Sequence, residues 1–172
     1  MRRRVPADRS GGGPVNVGKI AAGFIVIVSL IGGAFLYYTQ VYAYYQPVAF
    51  QPGAEIMLTP VAGDAPEPII AEDVTGIDGE SSPIRFRACF KTPMTLAMLS
   101  ETYRIYDKAE PLNAPGWFDC FDAAAIGAAL EKGEAVAFLS QANIHPGVDR
   151  VVAVFPDGRA YAWHQLNDSL ED

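Results

Sequence analysis

The sequence predicts an α+β fold led by a membrane-spanning helix, and three observations carry that prediction. Residues 20–38 (IAAGFIVIVSLIGGAFLYY) hold no charged side chain. Residues 84–91 (IRFRACFK) alternate apolar and polar, the period of a strand with one buried face. AAAIGAALEK, set between Asp122 and Gly133, has a capping residue before it and a terminating glycine after it, as a short helix requires.

Composition narrows the class. At 172 residues and 50% apolar, the chain has room for one domain with appendages, and its composition excludes wholesale disorder. Two cysteines are too few for a disulfide-dense scaffold or a four-cysteine zinc site. The formal net charge of −7 argues against nucleic acid as a partner. That charge is unevenly spread. The first 19 residues carry five basic side chains against one acid, a net of +4. Residues 20–54 carry none, and from Glu55 onward eight bases face nineteen acids, a net of −11.

Residues 1–19 read as a basic, flexible tail with Gly11-Gly12-Gly13-Pro14 inside it. Residues 20–45 read as a transmembrane helix with a tyrosine-rich outer end. The 19 uncharged residues of its core reach about 28 Å at 1.5 Å per residue, close to the hydrocarbon thickness of a bilayer. Basic residues lie before the span and none follows it closely, so the positive-inside rule puts the N-terminus in the cytoplasm. The expected location is the bacterial inner membrane, single-pass, with the C-terminal domain in the periplasm. Tyr37, Tyr38, Tyr42, Tyr44 and Tyr45 suit a membrane interface, where a ring is buried and a hydroxyl stays wet. A cleaved signal peptide is the alternative. Val41-Tyr42-Ala43 passes as a small-x-small site, although the apolar region is long for one. Ser29 and Gly33, four apart, would let a second helix approach closely, which makes a homodimer one option.

Residues 46–53, with Pro47 and Pro52, read as an extended linker, and residues 54–172 as the exported domain. A short strand is expected at residues 55–58 and a short β segment at 68–70. Residues 61–67 and 73–83 read as turn-rich loops, with Asp64, Glu67, Glu72, Asp73, Asp78 and Glu80 on a solvated acidic face. Thr92-Pro93 offers an N-cap and a first-turn proline for a helix running to about Arg104. Strands are expected over 135–141, 150–155 and 159–166, the last two joined at Pro156-Asp157-Gly158. The expected assembly is an antiparallel sheet with two helices on one face.

Chemistry is sparse. Cys89 and Cys120, in a compartment that oxidises thiols, are expected to form a disulfide closing a loop of about 30 residues, worth about 3–4 kcal/mol. A redox-active pair is the alternative, although such pairs usually lie close in sequence. His145 in a loop and His164 on the last strand are the only histidines, and so the only weak metal candidates. Ser140, His145 and Asp149 could be assembled into a hydrolytic triad on paper, without a nucleophile-elbow motif to support it. Trp117, Phe118 and Phe121 form an aromatic group, either core or an exposed interaction patch. No motif implies a cofactor.

The runs 18–23 (GKIAAG), 37–45 (YYTQVYAYY), 84–90 (IRFRACF) and 111–121 (PLNAPGWFDCF) together resemble an uncharacterised proteobacterial family of small single-span membrane proteins. The resemblance covers about residues 18–167. Some members bear the label histidine kinase. This chain departs from that label, having neither a nucleotide-binding domain nor a phospho-acceptor helix, so the resemblance implies no catalytic residue. The expected function is a non-catalytic accessory or interaction protein of the cell envelope, held in the lipid bilayer and meeting a membrane or periplasmic protein. The alternatives are a ligand- or metal-sensing domain signalling through its span and, third, a small hydrolase or redox enzyme.

Overall fold

The structure is a computed structural model and describes residues 16–167 and Ser169. Most of the basic tail therefore lies outside the described residues. The chain forms two compact units, one up to Gln40 and one from Val41 onward.

The first unit is helical. Helix α1 (Val17–Tyr38) is capped by Asn16, whose side chain accepts from the Lys19 amide, and it passes into a π-helical turn at Thr39–Ala43. The run Val17–Ala43 is long and apolar enough to cross a membrane. No residue of α1 is buried, and Phe24, Ile25, Leu30, Ile31 and Phe35 all stand exposed. A helix that is apolar all round is compatible with a membrane anchor.

The second unit confirms the α+β class. A six-stranded antiparallel sheet runs in the order β1-β4-β5-β8-β7-β6. Its strands are β1 (Gln46–Pro47), β4 (Glu72–Asp78), β5 (Arg87–Lys91), β6 (Val136–His145), β7 (Val148–Val154) and β8 (Arg159–Leu166). A two-stranded hairpin, β2 (Met57–Leu58) with β3 (Glu67–Pro68), lies apart from it. Helices α2 (Leu96–Thr102) and α3 (Ala123–Glu131) complete the unit.

The two helices lie on opposite faces of the sheet, not on one. Alternate residues of each strand enter different cores. Phe86, Ala88, Phe90, Phe138, Val152, Val154, Ala160 and Ala162 pack with Leu99 of α2 and with Ile56, Leu58 and Ile69 around the hairpin. Cys89, Ala137, Val151, Ala153 and Trp163 pack with Ala123 and Ile126 of α3 and with Phe121. Covering both faces explains a second difference. Arg87 and Cys89, expected on a solvent face, are buried as deeply as their apolar neighbours. Two-sided burial is what near-continuous runs such as RVVAVF encode.

Other boundaries move. Residues 73–78, expected as part of a loop, form β4 together with Glu72. Gly76 masks the strand pattern, yet the position demands glycine, because a Cβ there would stand 2.6 Å from the Phe50 ring. The supposed linker contributes β1, pairing Gln46 with Asp78 and Pro47 with Ile77. Helix α2 starts three residues late. Thr95, not Thr92, caps it, while the Thr92 hydroxyl accepts from the Met94 amide in a local turn. Strand β6 continues to His145, which pairs with Val148 across a tight turn, so His145 ends a strand instead of sitting in a loop. The Pro156-Asp157-Gly158 turn is as expected. Gly158 takes φ +85°, and a Cβ there would meet the Thr92 carbonyl at 2.7 Å. Asp122 caps α3 through the Ala125 amide, also as expected.

Candidate functional site

The polar end of the α2-side face is the richest chemical neighbourhood among the described residues. Strand register builds it. Arg150 pairs with His164 across β7 and β8, and the His164 amide donates to the Phe86 carbonyl. Arg150 therefore shares a face with Val152 and Val154, where the apolar core gives way to charge. The Arg150 guanidinium lies 4.1 Å over the Phe86 ring, and the His164 ring stacks on the same phenyl at 4.7 Å. His145, at the end of β6, places its ring edge-on to His164 at 5.9 Å. Asp78, at the end of β4, completes the group and feels the charges of Arg150 and His145.

Hydrogen bonds assign states to these groups. His164 is 1% exposed. Its Nδ1 lies 2.7 Å from the Pro83 carbonyl and its Nε2 lies 2.9 Å from Arg150 Nε. Arg150 only donates, so Nε2 must accept; a carbonyl only accepts, so Nδ1 must carry the proton. His164 is thus a neutral imidazole with both nitrogens engaged. Burial, then the Arg150 charge, pushes its pKa down to about 3. Burial lowers the Arg150 pKa to about 10, which leaves it charged at neutral pH, and burial raises that of Asp78.

A cleft of about 550 Å³ opens beside this group, lined by Val48, Asp78, Glu80, Ser82, Pro83 and His145 among others. Its accessible titratable groups are two carboxylates and one imidazole. His145 and His164 do come together, but His164 has no lone pair left for a metal. Among the described residues no three His, Cys, Asp or Glu side chains gather as a metal site.

The proposed triad does not assemble. The Ser140 hydroxyl donates to the Met57 carbonyl at 2.5 Å on the α2 side. Asp149 lies in phase with Val151, on the α3 side. It accepts from the Tyr106 hydroxyl, the Asn143 amide and Asn167 Nδ2. Beside it Gln165 accepts from Trp163 Nε1 and the Glu110 amide, and donates to the Lys108 carbonyl. This second polar group braces the loop before α3, and a shallower hollow of about 440 Å³ overlies it.

Cys89 and Cys120 form the expected disulfide, tying β5 to the loop before α3. The aromatic group divides. Phe121, 6% exposed, is core, edge-on to Tyr161 and Trp163. Phe118 packs against the same core. Trp117 turns away from it, stacks on Tyr42 and donates its indole N–H to the Val41 carbonyl at 2.7 Å. Phe121 therefore belongs to no surface patch.

Sequence reasoning put Asp78 on a solvated acidic face, whereas it is half-buried at the end of β4, and it passed over Arg150. A signal for Arg150 existed, since it stands in phase with two buried valines in RVVAVF. Arg87, unlike Arg150, is fully buried, and its guanidinium is spent on the carbonyls of Ile84, Phe86, Leu112 and Asn113.

A family of unknown function, DUF6446, matches residues 56–172. The chain belongs to the DUF6446 family. The match takes in the hairpin, both helices and five strands of the sheet, and it starts after α1 and β1. No curated protein and no solved structure matches the chain. Arg150, His164, Asp78 and both cysteines fall inside the DUF6446 region, while Trp117's partners Val41 and Tyr42 precede it.

Proposed function

We propose that this DUF6446 chain is a non-catalytic, membrane-anchored accessory or interaction protein of the bacterial cell envelope. Its N-terminus is cytoplasmic and its domain periplasmic. One observation supports the non-catalytic reading: Ser140, Asp149, His164 and the cysteine pair, the hydrolytic and redox candidates outside the cleft, are committed to structure. Ser140 Oγ serves Met57, Asp149 serves three donors, both His164 nitrogens are bonded, and the two cysteines are joined. The apolar Val17–Ala43 helix, the basic residues before it and a disulfide-bearing domain support the location. The occupants implied are the bilayer and a protein partner, with a homodimer through Ser29 and Gly33 as one form of it.

The cleft beside His145 favours a second reading, a domain that senses a small polar ligand and signals through its span. The two separate experimentally. Purification from detergent-solubilised membranes should recover a stoichiometric protein partner under the first reading. Recovery of the chain alone, together with thermal stabilisation by a small polar molecule that His145→Ala abolishes, would replace the first reading with the second.

A further inference from the structure

Trp117 lies 76 residues beyond Val41, yet its indole N–H closes on the carbonyl of that residue. Val41 belongs to the apolar helical run that ends at Ala43. Tyr42 stacks on Trp117 with ring centroids 6.2 Å apart, and Tyr45 meets it edge-on at 6.0 Å. Arg85 adds a cation over the rings of Tyr44 and Tyr45, at 5.7 and 5.1 Å. Tyr42, Tyr44 and Trp117 remain between 38% and 44% exposed despite these contacts. The domain thus gathers rings with polar tips, and one guanidinium, around the point where its chain begins.

We propose that Trp117, Tyr42, Tyr44, Tyr45 and Arg85 form a collar that docks into the headgroup layer of the bilayer entered by the chain's own helix. The proposal rests on the membrane-anchor reading and extends it from the span to the domain. Chain continuity selects the occupant. Tyr42 lies in the last turn of the apolar run Val17–Ala43, and Trp117 cannot leave it without breaking its stack and its hydrogen bond. Whatever attitude the domain takes, this cluster stays at the depth where amphipathic rings are most favourable. Charge supports the same surface. The domain from Glu55 onward is net −11 and is repelled by anionic lipid, so contact has to use neutral rings.

The chain has only two tryptophans, and the other, Trp163, is fully buried in the sheet. That makes the test clean. Full-length protein is reconstituted into phosphatidylcholine vesicles, either plain or brominated on the acyl carbons nearest the headgroup, and floated to confirm association. The Trp117 signal, taken as wild type minus Trp117→Phe, should fall about twofold in brominated vesicles, as for a ring at the interface. The Trp163 signal left in Trp117→Phe should not change. Unquenched Trp117 emission in floated vesicles, with quenching by aqueous iodide instead, overturns the collar and leaves the anchor standing. Protein that fails to float overturns the anchor and the collar with it. Should Trp117→Phe lose the emission maximum of folded Trp163, Trp117→Tyr supplies the same subtraction with the ring and polar tip retained.

Discussion

The two faces of the DUF6446 sheet are built from the same strands and are held differently. The α2 side packs large side chains, with Phe86, Phe90, Phe138, Leu58 and Leu99 closing over the valines of β7. The α3 side packs smaller ones, with Ala123, Ala137 and Ala153 around Trp163 and Phe121. Alanines bury little area, so that side depends on two large rings, Trp163 above all, and on the Cys89–Cys120 crosslink. The polar ends contrast too. On the α3 side Asp149 and Gln165 are spent on backbone and neighbouring side chains. On the α2 side Asp78 and His145 face an open cleft beside a half-buried, charged arginine. One polar end braces the fold, and the other faces an open cleft.

The largest effect should come from the rings that close each core. Phe138→Ala and Trp163→Ala should each cost about 3–5 kcal/mol in denaturant unfolding of the full chain in detergent. A much smaller loss at Trp163 would break the comparison, because the alanine-rich side would then not depend on it. Replacing both cysteines by alanine should cost about 3 kcal/mol, through the entropy of a 31-residue separation in the unfolded chain. An unchanged midpoint would mean that α3 docks without its tether.

Acid should act next, and through the α2 side. His164 is neutral when folded, with a pKa of about 3 against 6.5 in the unfolded chain. As pH falls below 6.5 the unfolded chain takes up a proton that the folded one refuses. Stability is therefore full above pH 6.5 and is lost at up to about 1.4 kcal/mol per pH unit on the way toward pH 3. Asp78, its pKa raised by burial, works in the opposite sense, binding its proton earlier in the folded state and offsetting part of the loss at the acid end. Unfolding midpoints at stepped pH should flatten in His164→Gln. An equally steep profile in that variant would place the acid sensitivity elsewhere.

The smallest pair of effects sharpens the contrast between the polar ends. Asp149→Ala strands three donors and should cost about 1–3 kcal/mol. His145→Ala, at an exposed strand end, should stay within about 0.5 kcal/mol. Equal costs would mean that the cleft, too, is structural.

Much of this fold was legible in the sequence, and its failures share a cause. The uncharged run, the Pro156-Asp157-Gly158 hairpin, the Asp122 cap and the cysteine pair each depend on local chemistry, and each stands where expected. Two-sided burial is not local. IRFRACFK alternates as if one face met water, because Arg87 and Cys89 are polar by type, yet Arg87 is buried by donating to four carbonyls that only the folded loops supply. The same limit put both helices on one face and left β4 as a loop, since Gly76 reads as a turn residue until Phe50 lies against it. The site was half visible. Both histidines were singled out, but their convergence depends on the 145–148 turn and the β7–β8 register, and Arg150 was read only as the start of a strand.

The central claim is an anchored domain on the oxidising side of a membrane. Bacterial cells expressing the full chain can be quenched with acid and fractionated. Carbonate-washed membranes are then labelled with a mass-adding maleimide, before and after reduction. The account predicts that the protein stays with the membranes and that its two cysteines are labelled only after reduction. Protein washed into the soluble fraction, or both cysteines labelled without reduction, would contradict it.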